Sequence, residues 1–253
     1  MYEVSVNLEW LFAEHDDLAR KVRAAQRLGV PAVEIWGWRG RDVDSLHAAL
    51  RETGVVLQTL CVDPMGTLVD PGTHEVFLEG VEKSAVLADR LGCPYLVITA
   101  GNERVGVPRG EQRRAVVEAL RRAVEVLDGH RVVLLLENLN SRVDHVGTFL
   151  DSTVECLDIV DEVGSPHLKL LYDHYHSLVM GERPEVVLDG RVDRVGHVQV
   201  ADVPGRHEPG TGGVDWGHEL STLRELGYTG RIGVECMPTT GTAEALEHIR
   251  RHL

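Results

Sequence analysis

The chain has 253 residues, 43% of them hydrophobic and 26% charged, which is ordinary for a protein that buries a large core. Lys+Arg 26 against Asp+Glu 40 gives a formal charge of −14, which disfavours nucleic acid and anionic membrane surfaces as main partners. Four scattered cysteines (Cys61, Cys93, Cys156, Cys236) contain no C-x-x-C pair. They argue against a thiolate zinc site or a disulfide framework and for a reduced, cytoplasmic setting.

The opening segment MYEVSVNLEWLFAEHDD carries acids where a signal peptide carries basic and then apolar residues. No apolar run approaches ~18 residues, so no membrane span is expected. Strands are predicted at 2–8 (YEVSVNL), 32–36 (AVEIW), 55–61 (VVLQTLC) and 95–100 (YLVITA). Four more are predicted at 131–137 (RVVLLLE), 168–173 (LKLLYD), 195–201 (VGHVQVA) and 231–235 (RIGVE). Between the first two, Leu18, Val22, Ala25 and Leu28 share one helical face. Between the fourth and fifth, Val116, Ala119, Leu120, Ala123 and Leu127 do the same. Gly29, Gly54, Gly92, Gly129, Gly164 and Gly227 stand where such helices stop.

RLGVPAVEIW, RLGCPYLVIT and ELGYTGRIGVE repeat one grammar: helix end, glycine, short turn, buried strand. Runs such as VVLLL suit a sheet covered on both faces. About eight strands alternating with eight helices at this length predict an α/β fold, a (β/α)8 TIM barrel forming a single domain over 1–253. The stretch 202–213, rich in Gly, Pro and His, reads as a functional loop after the seventh strand.

In a parallel barrel the active face lies at the C-terminal strand ends. Strand five ends at Glu137, strand six at Asp173 and strand eight at Glu235, and strand seven carries Gln199. A carboxylate after five or six apolar residues is costly unless compensated, and three converging on one mouth repel. A divalent cation is the simplest compensation. Glu137, Asp173, Glu235 and the Gln199 amide oxygen form an all-oxygen set suited to Mg²⁺ or Mn²⁺. Taken singly, each acid also reads as a helix cap or an ion-pair partner.

His174 and His176 flank Tyr175, and a turn just after Asp173 brings His176 to the mouth; otherwise it is a core or surface histidine. His197 and Gln199 face the same way, so His197 either orients ligands from one layer deeper or is a hydrogen-bonded core histidine. The loop DVPGRHEPGTG is expected to bring Arg206 and His207 beside the carboxylates. There Arg206 can hold a substrate hydroxyl or carboxylate bidentately, or else is a solvated loop arginine. Cys236, next to Glu235, points away from the site. Trp10, Phe12, Trp36 and Trp38 follow early strands and can wall the mouth or pack elsewhere. No G-K-[ST] or G-x-S-x-G element supports a nucleotide site or a serine hydrolase.

The segments NLEWLFAEHD, VEIW, LLLENLN, YDHYH, GHVQVADVPGRHEPGTG and GVECMP resemble the hydroxypyruvate isomerase family. That family lies within the xylose-isomerase-like barrel superfamily, beside the ketose 3-epimerases and inosose isomerases. The resemblance spans nearly the whole chain, and glutamine at 199, where the epimerases typically have histidine, favours the hydroxypyruvate isomerase branch. It implies metal binding by Glu137, Asp173, Gln199 and Glu235, acid/base work by Glu137 and Glu235, and substrate contact by His176 and Arg206. The segment CVDPMGTLVDPGTHE is shorter than the corresponding loop of typical members. SRVDH offers only Asp144 where the epimerases carry a further glutamate, so no role is carried over to it.

The expected reaction is the interconversion of hydroxypyruvate, or a close 2-oxo acid analogue, with tartronate semialdehyde through a cis-enediolate. Alternatives within the superfamily are a ketose 3-epimerase, a 2-oxo-tetronate isomerase or an inosose isomerase. Rivals of other classes are an endonuclease IV-like metal phosphodiesterase and a noncatalytic sugar-acid binder. The phosphodiesterase usually needs several zinc-binding histidines and a basic groove, which the all-oxygen set and the acidic charge oppose. The expected partner is a small hydroxy-oxo acid or sugar. Barrels of this kind often form homo-oligomers, but no dimer motif is readable.

Overall fold

Val4–Asn7 (β1) pairs in parallel with Ala32–Glu34 (β2) on one side and with Ile232–Val234 (β8) on the other. Between them run Val56–Cys61 (β3), Tyr95–Ile98 (β4), Val133–Glu137 (β5), Leu168–Asp173 (β6) and Val195–Val200 (β7). Each pairs with its sequence neighbours, so the sheet closes as β1-β2-β3-β4-β5-β6-β7-β8. This computed structural model describes residues 2–253, and it is the (β/α)8 barrel that the strand count predicts. The strands are a residue or two shorter at several ends than their apolar runs.

Strand alternation sorts the side chains. Leu96, Ile98, Leu134, Leu136 and Leu170 face outward into the main core. Val97, Leu135 and Leu171 face inward and form a separate cluster with Cys61, Tyr95 and Val133 against it. Burying each such leucine contributes roughly 1.5–3 kcal/mol. The other half of the interior is polar: Ser5, Asn7, Glu34, Thr59, His197 and Gln199 are all buried there.

The outer layer holds α1 (Leu18–Arg27), α2 (Val43–Thr53), α3 (His74–Leu91), α4 (Arg109–Val126) and α5 (Thr153–Val163). It continues with α6 (His174–Met180), α7 (Pro184–Val187), α8 (Trp216–Glu225) and α9 (Thr242–His252). Asp17, Asp42, Ser152 and Asp215 cap their helices by accepting an N–H three residues on, each worth ~1 kcal/mol. The described residues thus hold nine α-helices rather than about eight. The segment after β6 splits in two, since Gly181 ends α6 in a left-handed conformation and Pro184 starts α7. Among the described residues no helix is long and apolar enough to cross a membrane.

Candidate active site

The parallel strands send all their C-terminal ends to one rim, where a cavity of about 400 Å³ opens. Trp10, Trp36, Glu137, Gln199, Arg206 and Glu235 are among the residues lining it. A roomier hollow of about 720 Å³ beside α1 and α2 has no comparable set, because its Arg41 and Glu9 pair with each other and its Asp17 and Asp42 cap helices.

Glu137 ends β5, and no hydrogen bond from the described residues reaches its carboxylate. Burial first, and then the charges of Glu235 and Asp173, push it well above the usual carboxylate range. Asp173 ends β6 and caps α6, its Oδ1 accepting the His176 N–H at 3.0 Å. Asn138 clamps this strand end, donating to Asp173 O at 3.1 Å and accepting its N–H at 3.0 Å. Burial pushes Asp173 up to about 6 despite Arg206 nearby.

Because α6 starts directly after Asp173, His176 turns into the mouth, with Nε2 3.5 Å from Asp173 Oδ2 and 4.0 Å from Glu137 Oε1. His174 turns the other way, to Glu219 at 2.9 Å. Asn140 Oδ1 accepts the N–H groups of Val143 and Asp144 at 3.0 and 2.9 Å, which fixes its amide. Its Nδ2 must therefore donate to His176 Nδ1, 2.6 Å away. Burial, Arg206 and His145 hold His176 well below its ordinary pKa, so the ring is neutral. Its single proton then sits on Nε2, a buried atom without a partner among the described residues.

Glu235 follows β8 and is the best held of the acids. Its Oε1 accepts from Asn7 Nδ2 at 2.8 Å and Trp36 Nε1 at 2.7 Å, and its Oε2 from Arg206 at 2.6 Å. Burial still pushes it up to about 7, against the pull of Arg206. The same guanidinium nitrogen lies 3.9 Å from Asp173 Oδ2, so one cation bridges the β6 and β8 acids. Arg206 sits in a left-handed turn (φ 58°) between the rings of Trp10 and Tyr175, at 4.9 and 5.1 Å. Asp202 secures its loop, accepting from Gly210 N at 2.8 Å and Trp216 Nε1 at 3.1 Å.

Gln199, on β7, donates Nε2 to Glu34 Oε2 at 2.7 Å, which turns its oxygen away from Glu34. His197 lies one layer deeper and meets Glu34 Oε1 at 2.7 Å rather than any mouth carboxylate. Burial alone would push Glu34 up, but His197, Ser5 and Gln199 outweigh it and hold the carboxyl below its ordinary value.

The structure thus brings Glu137, Asp173, His176, Gln199, Arg206 and Glu235 to one mouth, with His197 beneath it. His207 is not beside the carboxylates: the turn at Gly205 and Arg206 sends it outward, and its Nδ1 bonds Met237 O at 2.7 Å. Trp10 and Trp36 line the cavity, whereas Trp38 bonds Ser84 at 2.9 Å and Phe12 is buried in the core. Sequence reasoning missed Asn7, Asn140 and Glu34. The signal for Glu34 was present as an acid inside the apolar strand AVEIW.

Three carboxylates facing one arginine leave a deficit of positive charge, which a divalent cation fits. One ligand atom each from Glu137, Asp173 and His176 lie within 4.8 Å of one another. With its proton on Nε2, however, His176 donates rather than ligates, so the oxygens of Glu137, Asp173, Glu235 and Gln199 are the better donor set.

Residues 22–252 match the xylose isomerase-like TIM barrel family. A Homo sapiens protein named putative hydroxypyruvate isomerase is 35% identical over 264 aligned residues, covering 98% of this chain and 94% of its own length. The hydroxypyruvate isomerase of Escherichia coli (strain K12) is 32% identical and covers 97% of each chain. The crystal structure of an AP endonuclease, family 2, from Brucella melitensis superposes with a TM-score of 0.92 at 26% identity, over 100% of this chain and 99% of that one.

Proposed function

The chain belongs to the xylose isomerase-like TIM barrel family, and from that premise we propose that it is an isomerase converting hydroxypyruvate to tartronate semialdehyde, or acting on a close 2-oxo acid analogue. One observation carries the reading: Glu137, Gln199, Arg206 and Glu235 line one cavity, with His176 Nε2 buried 4.0 Å from Glu137. Full-length similarity to hydroxypyruvate isomerases supports it. Phosphodiester chemistry is not favoured, because the buried ligand cluster holds two carboxylates and one histidine and the chain is strongly acidic.

A proton must leave the hydroxymethyl carbon and another must arrive on the neighbouring carbonyl carbon. The electron pair left by the first moves through a cis-enediolate. Glu137, with no donor occupying its oxygens, takes or returns a proton at carbon. Glu235, steadied by Asn7, Trp36 and Arg206, serves the other carbon. His176 Nε2–H donates to a substrate oxygen and helps the hydroxyl proton pass to the former carbonyl oxygen. Arg206 steadies a substrate oxygen or carboxylate. Glu137, Asp173, Gln199 and Glu235 would hold Mg²⁺ or Mn²⁺, which would supply positive charge beside the enediolate oxygens. Four free cysteines suit a cytoplasmic enzyme.

The test is deuterium wash-in from solvent, followed by NMR, with Mg²⁺ or Mn²⁺ present. Hydroxypyruvate should gain carbon-bound deuterium and yield tartronate semialdehyde. Exchange only into a 2-oxo-tetronate, a ketose or an inosose would move the assignment to that substrate. Exchange into none of them would overturn the isomerase reading.

A further inference from the structure

We propose that Glu34 is a positioning residue that decides which end of the Gln199 amide faces the cavity. The inference rests on the reading of Gln199 as an oxygen ligand of the cation. An amide is nearly symmetric in shape, so its partners choose its orientation. The mouth in front of Gln199 holds Glu137, Asp173 and Glu235. Left alone, the amide would turn its NH₂ toward those carboxylates and have no oxygen to offer a cation.

Glu34 opposes this from behind. Its Oε2 accepts the Gln199 Nε2–H at 2.7 Å, while its Oε1 is gripped by His197 Nε2 at 2.7 Å and Ser5 Oγ at 2.5 Å. A carboxylate only accepts hydrogen bonds, so a turned amide would set oxygen against oxygen and forfeit a charge-assisted bond. Glu34 is fully buried, where a charge is costly and packing alone would be met by an apolar residue. The strand opposite makes room for it. A Cβ on Gly233 would lie 2.2 Å from Glu34 Oε1 and 2.7 Å from His197 Nε2. Glycine in β8, the carboxylate in β2 and the imidazole in β7 therefore form one fitted unit behind the ligand.

The experiment is a Mn²⁺ titration of the full chain, followed by the electron paramagnetic resonance signal of free Mn²⁺. It compares the unmodified protein, Glu34→Gln, Gln199→Ala and the double variant, each shown folded by circular dichroism. Glu34→Gln should weaken Mn²⁺ binding about 10- to 100-fold. In the Gln199→Ala background the same change should add nothing, since Glu34 acts through that amide. Unchanged affinity in Glu34→Gln, or losses that simply add, would overturn the proposal.

Should Glu34→Gln fail to fold, the unmodified protein still decides the matter. The chain has four glutamines, so ¹⁵N-glutamine labelling gives few side-chain NH₂ signals, and the one lost in Gln199→Ala is assigned. That signal should stay protected from solvent exchange with and without Mg²⁺. Loss of protection on adding Mg²⁺, or none at the outset, would overturn the orientation. If the unmodified protein binds no Mn²⁺, the metal reading fails separately, while the NH₂ signal still reports whether Glu34 holds the amide.

Discussion

Inside the barrel, β4 to β6 present Val97, Leu135 and Leu171, packed with Tyr95 and Val133. Across from them, β7, β8, β1 and β2 present His197, Gln199, Gly233, Ser5, Asn7 and Glu34. Both halves are parallel strands with the same alternation. They differ in what their geometry is for. Leucines fill space and tolerate small shifts, so the apolar half contributes stability. Hydrogen bonds between 2.5 and 2.8 Å tolerate little, so the polar half sets the direction of each functional atom. Glu137 stands where the halves meet: it tops an apolar strand, and no donor from the described residues holds it.

Substitutions can separate these duties. Glu137→Gln should give the largest effect, cutting turnover by ~10²–10⁴. Its melting temperature should hold or rise, because a buried carboxyl gives way to a neutral amide. NMR assay and thermal unfolding check both. Leu135→Ala, one layer below, should do the reverse. It should lose ~2–5 kcal/mol in urea unfolding while turnover per folded molecule stays within a few-fold. If Leu135→Ala abolished turnover at full stability, the division of labour would be wrong.

Trp36→Phe sharpens the contrast within the polar half. It keeps the apolar wall but removes the 2.7 Å bond to Glu235, a bond to a charged group worth ~1.5–3 kcal/mol. kcat/KM should drop at least about tenfold, and the melting temperature should fall by several degrees. The mildest effect should be a pH slope in the metal-free protein. Asp173 and Glu235 are pushed up to about 6 and about 7, and Glu137 is pushed up as well. The folded state then holds protons that the unfolded chain has already released near pH ~4. Stability is therefore greatest below that pH range and falls as pH rises toward 7. Melting temperature measured in chelator from pH 5 to 8 should decline, and Mn²⁺ should flatten the decline. A rise with pH would contradict these environments.

The fold was legible because strands such as β5 are continuous apolar runs, the strands recur at even spacing, and several connections end on a helix-stopping glycine such as Gly54, Gly92 or Gly164. Glu137, Asp173, Gln199 and Glu235 were legible because a polar group at the end of such a run has no packing reason to be there. Helix α6 vindicates the reading that a turn breaks strand parity after Asp173, which takes His176 one way and His174 the other. Asn7, Asn140 and Trp36 as hydrogen-bond donors were not legible. Their partners lie far off in sequence, at Glu235 and His176, and nothing local marks them. His207 shows the same limit from the other side, since one left-handed residue at Arg206 reverses its direction.

The bond between Asn7 and Glu235 joins residues from β1 and the end of β8, strands that meet only when the ring is complete. A growing polypeptide can pack its early β/α units as they emerge from the ribosome, yet it cannot assemble this mouth until the final strand arrives. The proposed chemistry thus waits on the complete ring, since no truncated intermediate can hold Glu235 in this way.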